Sequence, residues 1–258
     1  LVVRMEELRP LVLDLSAGFA TDDLYNGSLT FTNFNTFGWA KRLSLRFIGG
    51  QRLSRGEISW VDPSFFNRDL QWSANGLVQY VRLPFFSYVQ PSVGTGFFRR
   101  FHRTSYLARY QLDKNYFLNG NPIRAATAGI RNSTLSKISF ATTYDTRNSF
   151  SDPTKGYYML GAVDIVNEIK GEQANFFKFR AGFGIYAGFW KIFALLNDLR
   201  FNRIETLGSN VNVPGNERFF LGGDSTIRGF PLDSIGPKDV NGDAIGANMS
   251  WIHNIELR

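Results

Sequence analysis

The chain contains no cysteine, which removes disulfide scaffolds, thiol catalysis and zinc ribbons together. His102 and His253 are its only histidines, too few for a triad plus a metal site, and no Ser or Asp stands in a nucleophile elbow. No enzymatic activity, metal or cofactor is therefore expected. Long apolar runs are missing too. The longest stretches without a charge, 24–40 and 83–98, are rich in Asn and Thr or broken by Pro84 and Pro91, and mean hydropathy is −0.18, so no membrane-spanning helix is expected. Charge is not concentrated either: 29 Lys and Arg against 22 Asp and Glu give a net +7, but scattered along the chain. That excludes the basic stripe of a nucleic-acid-binding face.

What the sequence does have is aromatic residues, 16% of the chain and led by 25 Phe, with Gly also at 25. This composition favours strands, and strict alternation recurs nearly everywhere. In 176–187, Phe177, Phe179, Ala181, Phe183, Ile185 and Ala187 share one face, with Lys178, Arg180, Gly182, Gly184 and Tyr186 on the other. In 137–145, Ile138, Phe140 and Tyr144 oppose Lys137, Ser139, Thr143 and Asp145. In 192–201, Phe193, Leu195, Leu199 and Phe201 oppose Asp198 and Arg200. Leu11, Leu13, Leu15, Ala17 and Phe19 likewise alternate with Val12, Asp14, Ser16 and Gly18.

A soluble β-sandwich would have to bury the Phe and Leu faces in a core while carrying full charges in mid-strand opposite them. A transmembrane barrel inverts this arrangement, with the apolar face toward lipid and the polar face toward a wet lumen. The pattern predicts strands at 11–19, 27–34, 41–49, 55–62, 69–82, 97–112, 122–131, 135–146, 156–166, 174–187, 191–202 and 246–257. Turns after even-numbered strands carry aromatics: Phe37 and Trp39, Phe65 and Phe66, Tyr116 and Phe117, Phe150 and Tyr157, Phe189 and Trp190. Such recurrence is expected of an interfacial girdle. The connection at 203–245 follows an odd-numbered strand and is expected to be a long external loop.

Within that loop stands Arg218-Phe219-Phe220-Leu221-Gly222-Gly223-Asp224-Ser225-Thr226-Ile227-Arg228-Gly229-Phe230. Gly222-Gly223 lacks the lysine and helix of a phosphate-binding loop, and Asp239, Asn241 and Asp243 lack the spacing and closing glutamate of a calcium loop. The segment instead resembles the Val/Ile-Arg-Gly-Phe motif of the BamA superfamily of outer-membrane β-barrel assembly and translocation proteins, with Gly222, Gly223 and Asp224 as supporting loop residues. Tyr144-Asp145-Thr146-Arg147 with Pro153-Thr154-Lys155-Gly156-Tyr157 resembles that family's turn before its ninth strand. Arg9-Pro10 resembles its approach from a periplasmic POTRA domain.

The resemblance implies an all-β, antiparallel transmembrane barrel with the long loop folded into the lumen and its arginine meeting an acidic wall residue. By parity Asn248, Ser250, Asn254 and Glu256 point inward, which makes Glu256 the expected partner of Arg228. Gly229 is expected to permit unusual backbone angles, and Phe230 to wedge against the wall. Residues 1–8 are expected to be the remnant of a preceding POTRA-like domain, and 9–258 the barrel. About 12 strands are present where the family has about 16, so self-association of a shortened barrel is a further expectation.

The family function implied is folding and insertion of unfolded β-barrel client proteins in the bacterial outer membrane. A client strand would add to the edge formed by Leu11, Leu13, Leu15, Ala17 and Phe19, loosened by Gly18, Asp22 and Asp23. The alternative within the superfamily is a polypeptide-secretion transporter or passive pore. Implied partners are outer-membrane lipids, lipopolysaccharide and accessory lipoproteins. Arg99, Arg100, His102 and Arg103 form a basic cluster that a barrel rim could present to lipid phosphates, or that could simply be a solvated strand end.

Overall fold

The computed structural model describes residues 10–19, 25–83, 86–119, 129–189, 193–208 and 212–257. Twelve strands make one antiparallel sheet in chain order: β1 Leu11–Gly18, β2 Asn26–Thr36, β3 Lys41–Gly50, β4 Leu53–Asp62, β5 Gln71–Arg82, β6 Ser87–Phe101, β7 Thr104–Asn119, β8 Ser133–Asp145, β9 Gly156–Lys170, β10 Asn175–Phe189, β11 Phe193–Thr206 and β12 Met249–Leu257. Every strand pairs with its sequence neighbour, so β1 and β12 are the two ends of the sheet among the described residues. No helix of the described residues is long and apolar enough to cross a membrane.

Among the described residues no second sheet covers the Phe-rich face. Phe179, Phe183 and Ile185 of β10 are exposed, as are Met249, Trp251, Ile255 and Leu257 of β12. Exposed aliphatic and aromatic side chains in unbroken cross-strand rows are the outer wall of a lipid-facing barrel, not of a sandwich. The opposite face is polar and bonded across strands. Arg55 Nη2 donates to Gln79 Oε1 at 2.6 Å, and Gln79 Nε2 to Gln90 Oε1 at 2.5 Å. Gln90 Nε2 donates to Asn115 Oδ1, and Asn115 Nδ2 to Ser133 Oγ, both at 2.9 Å. This chain of side chains crosses β4 through β8 and satisfies polar groups that a confined interior would otherwise leave stranded.

The expected count of twelve strands is met, but two of the strands are drawn differently. The expected strand 97–112 spans the end of β6 and most of β7, which turn sharply at His102 and Arg103. No Gly, Pro or Asn marks that turn; His102 supplies the left-handed conformation itself, at φ 54°. Most of the expected strand 122–131 lies outside the described residues, and 129–131 is not strand. Pro91 sits inside β6, opposite Val78 of β5, and the pairing with β7 lapses at Gln90 and Pro91 before resuming at Ser92 and Asp113. A proline is tolerated there because no ladder bond is asked of it.

The redrawn hairpin also corrects the girdle. Its third aromatic site is Phe101 beside the His102 turn, whereas Tyr116 and Phe117 lie toward the far end of β7, at the opposite rim. Phe117 points inward and packs on Phe86 and Tyr88, with ring centroids at 5.5 and 5.8 Å. Phe37 and Trp39 stack edge to face and Phe65 and Phe66 are in contact, both in connections after even-numbered strands, and Tyr157 meets Tyr144 at the strand ends that flank the β8–β9 connection. Trp190 lies outside the described residues, as do Arg9, Asp22, Asp23 and the segment 1–8. Phe19 falls just beyond β1 and is exposed.

Candidate functional site

The long connection between β11 and β12 runs through the barrel interior and is held there at two levels. Near its own rim the hold is apolar and ionic. Leu135, Val166, Ala174, Phe176, Ile204 and Val213 form a buried cluster against which Phe219 packs. Phe220 and Ile245 pack against a second cluster of Phe86, Tyr88 and Ile130. The two adjacent phenylalanines of the motif thus point to opposite sides, as alternation requires, and each finds a core.

Between these clusters, Glu217 meets the wall. Its Oε1 accepts from Lys137 Nζ of β8 at 2.5 Å, and its backbone carbonyl accepts from Lys178 Nζ of β10 at 2.8 Å. Lys137 also lies 2.8 Å from Asp113 Oδ2 of β7. Glu217 and Asp113 are almost wholly buried. Arg131 clamps Glu168 through two nitrogens, at 3.2 and 2.9 Å, and donates to the carbonyl of Asn212 at 2.8 Å. Arg218 donates to Val213 O, Ile245 O and Asn212 Oδ1, tying the two ends of the loop together. Burial, and then the neighbouring Arg131 charge, lowers the Arg218 pKa from its ordinary value.

The middle of the loop reaches the other half of the interior. Gly223 N donates to Phe230 O at 3.0 Å and Gly223 bridges Ile227, closing a narrow hairpin with Asp224, Ser225 and Thr226 at its tip and Arg228 just beyond the bridge. Gly222 opens it at φ +115°, and a Cβ there would stand 2.2 Å from the carbonyl oxygen of Pro231. Glycine is demanded by both backbone angle and space. Thr226 Oγ1 staples the turn by bonding Gly222 N and Gly222 O. β11 and β12 then receive it: Arg200 Nη1 donates to Ser225 O at 2.9 Å, and Asn254 Nδ2 to Thr226 O at 3.0 Å.

Arg228 Nη1 lies 3.2 Å from Glu256 Oε1. The parity assignment of Glu256 to the inner face and the loop position of Arg228 therefore converge in space. The energetics differ from those of a buried pair: the Arg228 side chain is 65% exposed and that of Glu256 24%. A pair so open to solvent contributes about 0–1 kcal/mol, not the several expected of an enclosed one. Gly229 has φ +84°, and a Cβ added there would meet no atom within 4 Å, so backbone angle alone requires glycine. Phe230 is exposed and does not wedge against the wall. Asp224 lines a polar cleft of ≈ 550 Å³ between the loop tip and the wall, together with Arg147, Tyr158, Tyr186, Asp198 and Arg200. Hydrogen bonding to Asp145 raises the Arg147 pKa above its ordinary value, and the guanidinium lies 4.9 Å from the Tyr158 ring. Asp239 accepts from the backbone of Asn241 and Asp243, which is the chemistry of a tight turn.

Glu217, Lys137, Lys178 and Asp113 are not among the site residues expected from the sequence. A signal for them exists there: two lysines on an inward face need acids, and Glu217 immediately precedes the motif.

A single sheet with an apolar exterior, a bonded polar interior and a lumenal loop carrying Ile-Arg-Gly-Phe defines an outer-membrane β-barrel of the assembly and secretion type. The chain belongs to the Omp85 superfamily, whose domain profile matches residues 35–258. Among solved structures it is similar to BamA from Haemophilus ducreyi lacking POTRA domains 1–3, at TM-score 0.85 and 16% identity over 98% of this chain and 53% of that one. It is also similar to CdiB from Acinetobacter baumannii, at TM-score 0.50 and 14% identity over 86% of this chain and 42% of that one. The chain thus spans about half the length of these structures.

Proposed function

We propose that the chain is the membrane barrel of a factor that folds and inserts β-barrel client proteins, with β1 as the strand to which a client adds. The observation that carries this reading is the state of β1. Phe34 N donates to Pro10 O at 2.8 Å, and the β1–β2 register is uninterrupted, so the even-numbered residues of β1 bond to β2. The N–H and C=O groups of Leu11, Leu13, Leu15 and Ala17 consequently point to the free edge. The whole of β1 is exposed on both faces, a template for another chain's strand.

In this reading the short turns after even-numbered strands face the periplasm and the tethered loop enters from the outside. No covalent chemistry is required: strand addition exchanges hydrogen bonds with water for hydrogen bonds with the edge. The loop fills part of the lumen, which supports an assembly role over an open pore. The test is the folding rate of a β-barrel client in liposomes with and without the protein, beside conductance in planar bilayers. Acceleration with low conductance supports assembly; high steady conductance without acceleration replaces it with the transporter or pore reading.

A further inference from the structure

The outer wall carries a groove that neither the loop nor the β1 edge explains. Across five strand pairings, Arg99 faces Tyr106, Tyr106 faces Thr142, Thr142 faces Gly161, Gly161 faces Ala181 and Ala181 faces Phe201. The neighbouring row on one side holds Phe140, Val163 and Phe179, and on the other Tyr144, Met159 and Phe183. The result is an apolar trough of ≈ 720 Å³ with a low floor, aromatic walls and Arg99 at one end. At about 4.8 Å per strand its five steps reach roughly 24 Å, enough for an acyl chain.

The charged end distinguishes this trough from ordinary lipid-facing surface. Two other outward cations have partners: Arg203 lies 2.7 Å from Glu205, and Lys114 sits over the Tyr116 ring. The side chains of Arg99 and Arg103 make no ion pair or hydrogen bond among the described residues. They stand at the girdle level, beside Phe101, Tyr106 and the Tyr144–Tyr157 pair. An arginine on the lipid face of a strand is destabilising unless its head reaches a phosphate.

We propose that this trough is a binding site for one anionic glycerophospholipid, an acyl chain lying over Gly161 and Ala181 and the phosphate held by Arg99 and Arg103. The site rests on the barrel class alone and stands whether or not the chain assembles clients. The test is native mass spectrometry of the folded barrel after release from nanodiscs of equimolar phosphatidylcholine and phosphatidylglycerol. The wild type retains phosphatidylglycerol over phosphatidylcholine by on the order of tenfold, the scale of two arginines at a headgroup. Arg99→Ala/Arg103→Ala abolishes that preference, and Arg99→Gln/Arg103→Gln, which keeps side-chain bulk, does the same should the alanine pair fold poorly. Gly161→Leu fills the trough without touching backbone, since a Cβ there meets only Thr142 Cγ2 at 3.8 Å. It lowers retention of the lipid, while Gly76→Leu, in a separate groove on the outer wall, leaves it unchanged. Equal retention by wild type and the arginine variants overturns the proposal. So does complete displacement of the lipid by soluble glycerophosphate, which would mark a phosphate site without an acyl groove.

Discussion

Lys137 Nζ lies 2.5 Å from Glu217 Oε1, in the buried interior, whereas Arg228 and Glu256 meet where both keep contact with solvent. The loop is therefore fastened most strongly near its own rim and only lightly at its tip. Removing Glu217 leaves Lys137 with Asp113 as its remaining carboxylate and deprives Lys178 of its nearest acid. Glu217→Ala is expected to cost about 3–5 kcal/mol of loop anchoring, the scale of a broken buried pair. Hydrogen exchange over 212–248 reads this out; protection unchanged from wild type would contradict it.

The tip behaves differently. Arg228→Ala and Glu256→Gln should each lower stability by about 0–1 kcal/mol, with a coupling that shrinks as salt is raised. A double-mutant cycle measured at low and high ionic strength checks both points. If client folding nevertheless falls strongly in both variants, the pair acts by positioning the loop and not by holding the fold; equal client folding in wild type and both variants removes it from the mechanism.

The two motif glycines also separate. Gly222→Ala places a methyl 2.2 Å from Pro231 O in addition to a left-handed backbone, so the hairpin at 222–231 must open. Gly229→Ala meets nothing within 4 Å and bears only the conformational cost, on the order of 1 kcal/mol. Exchange of the Gly223 amide, which bonds Phe230 O, should rise steeply in the first variant and little in the second.

Much of this is legible from alternation, because a period of two with one greasy face assigns every side chain to a wall. The faces of β8, β10, β11 and β12 follow from it, including the inward placement of Glu256. The β6–β7 hairpin is not legible, since its turn residues His102 and Arg103 carry none of the usual turn chemistry and Pro91 reads as a breaker. The anchoring role of Glu217 is hidden for another reason. Loop residues have no period, and their partners are set by which wall position the chain happens to pass. Phe219 and Phe220 read as motif letters, and only their separate burial in two clusters shows what each contributes.

The β1 edge supplies the most direct test of function. Proline at Leu13 or Leu15 removes an N–H that points away from β2, so the β1–β2 ladder keeps its bonds while the free edge loses a donor. Proline at Ser16, whose N–H faces β2 opposite Ser28, breaks the ladder instead. Leu15→Pro is expected to leave the barrel folded, judged by heat-modifiable migration on gels, and to abolish acceleration of client folding. Ser16→Pro should lower the stability of β1 first. Full client acceleration by the folded Leu15→Pro protein would show that strand addition occurs elsewhere, and the other sheet end, β12, would then be the edge to substitute in the same way.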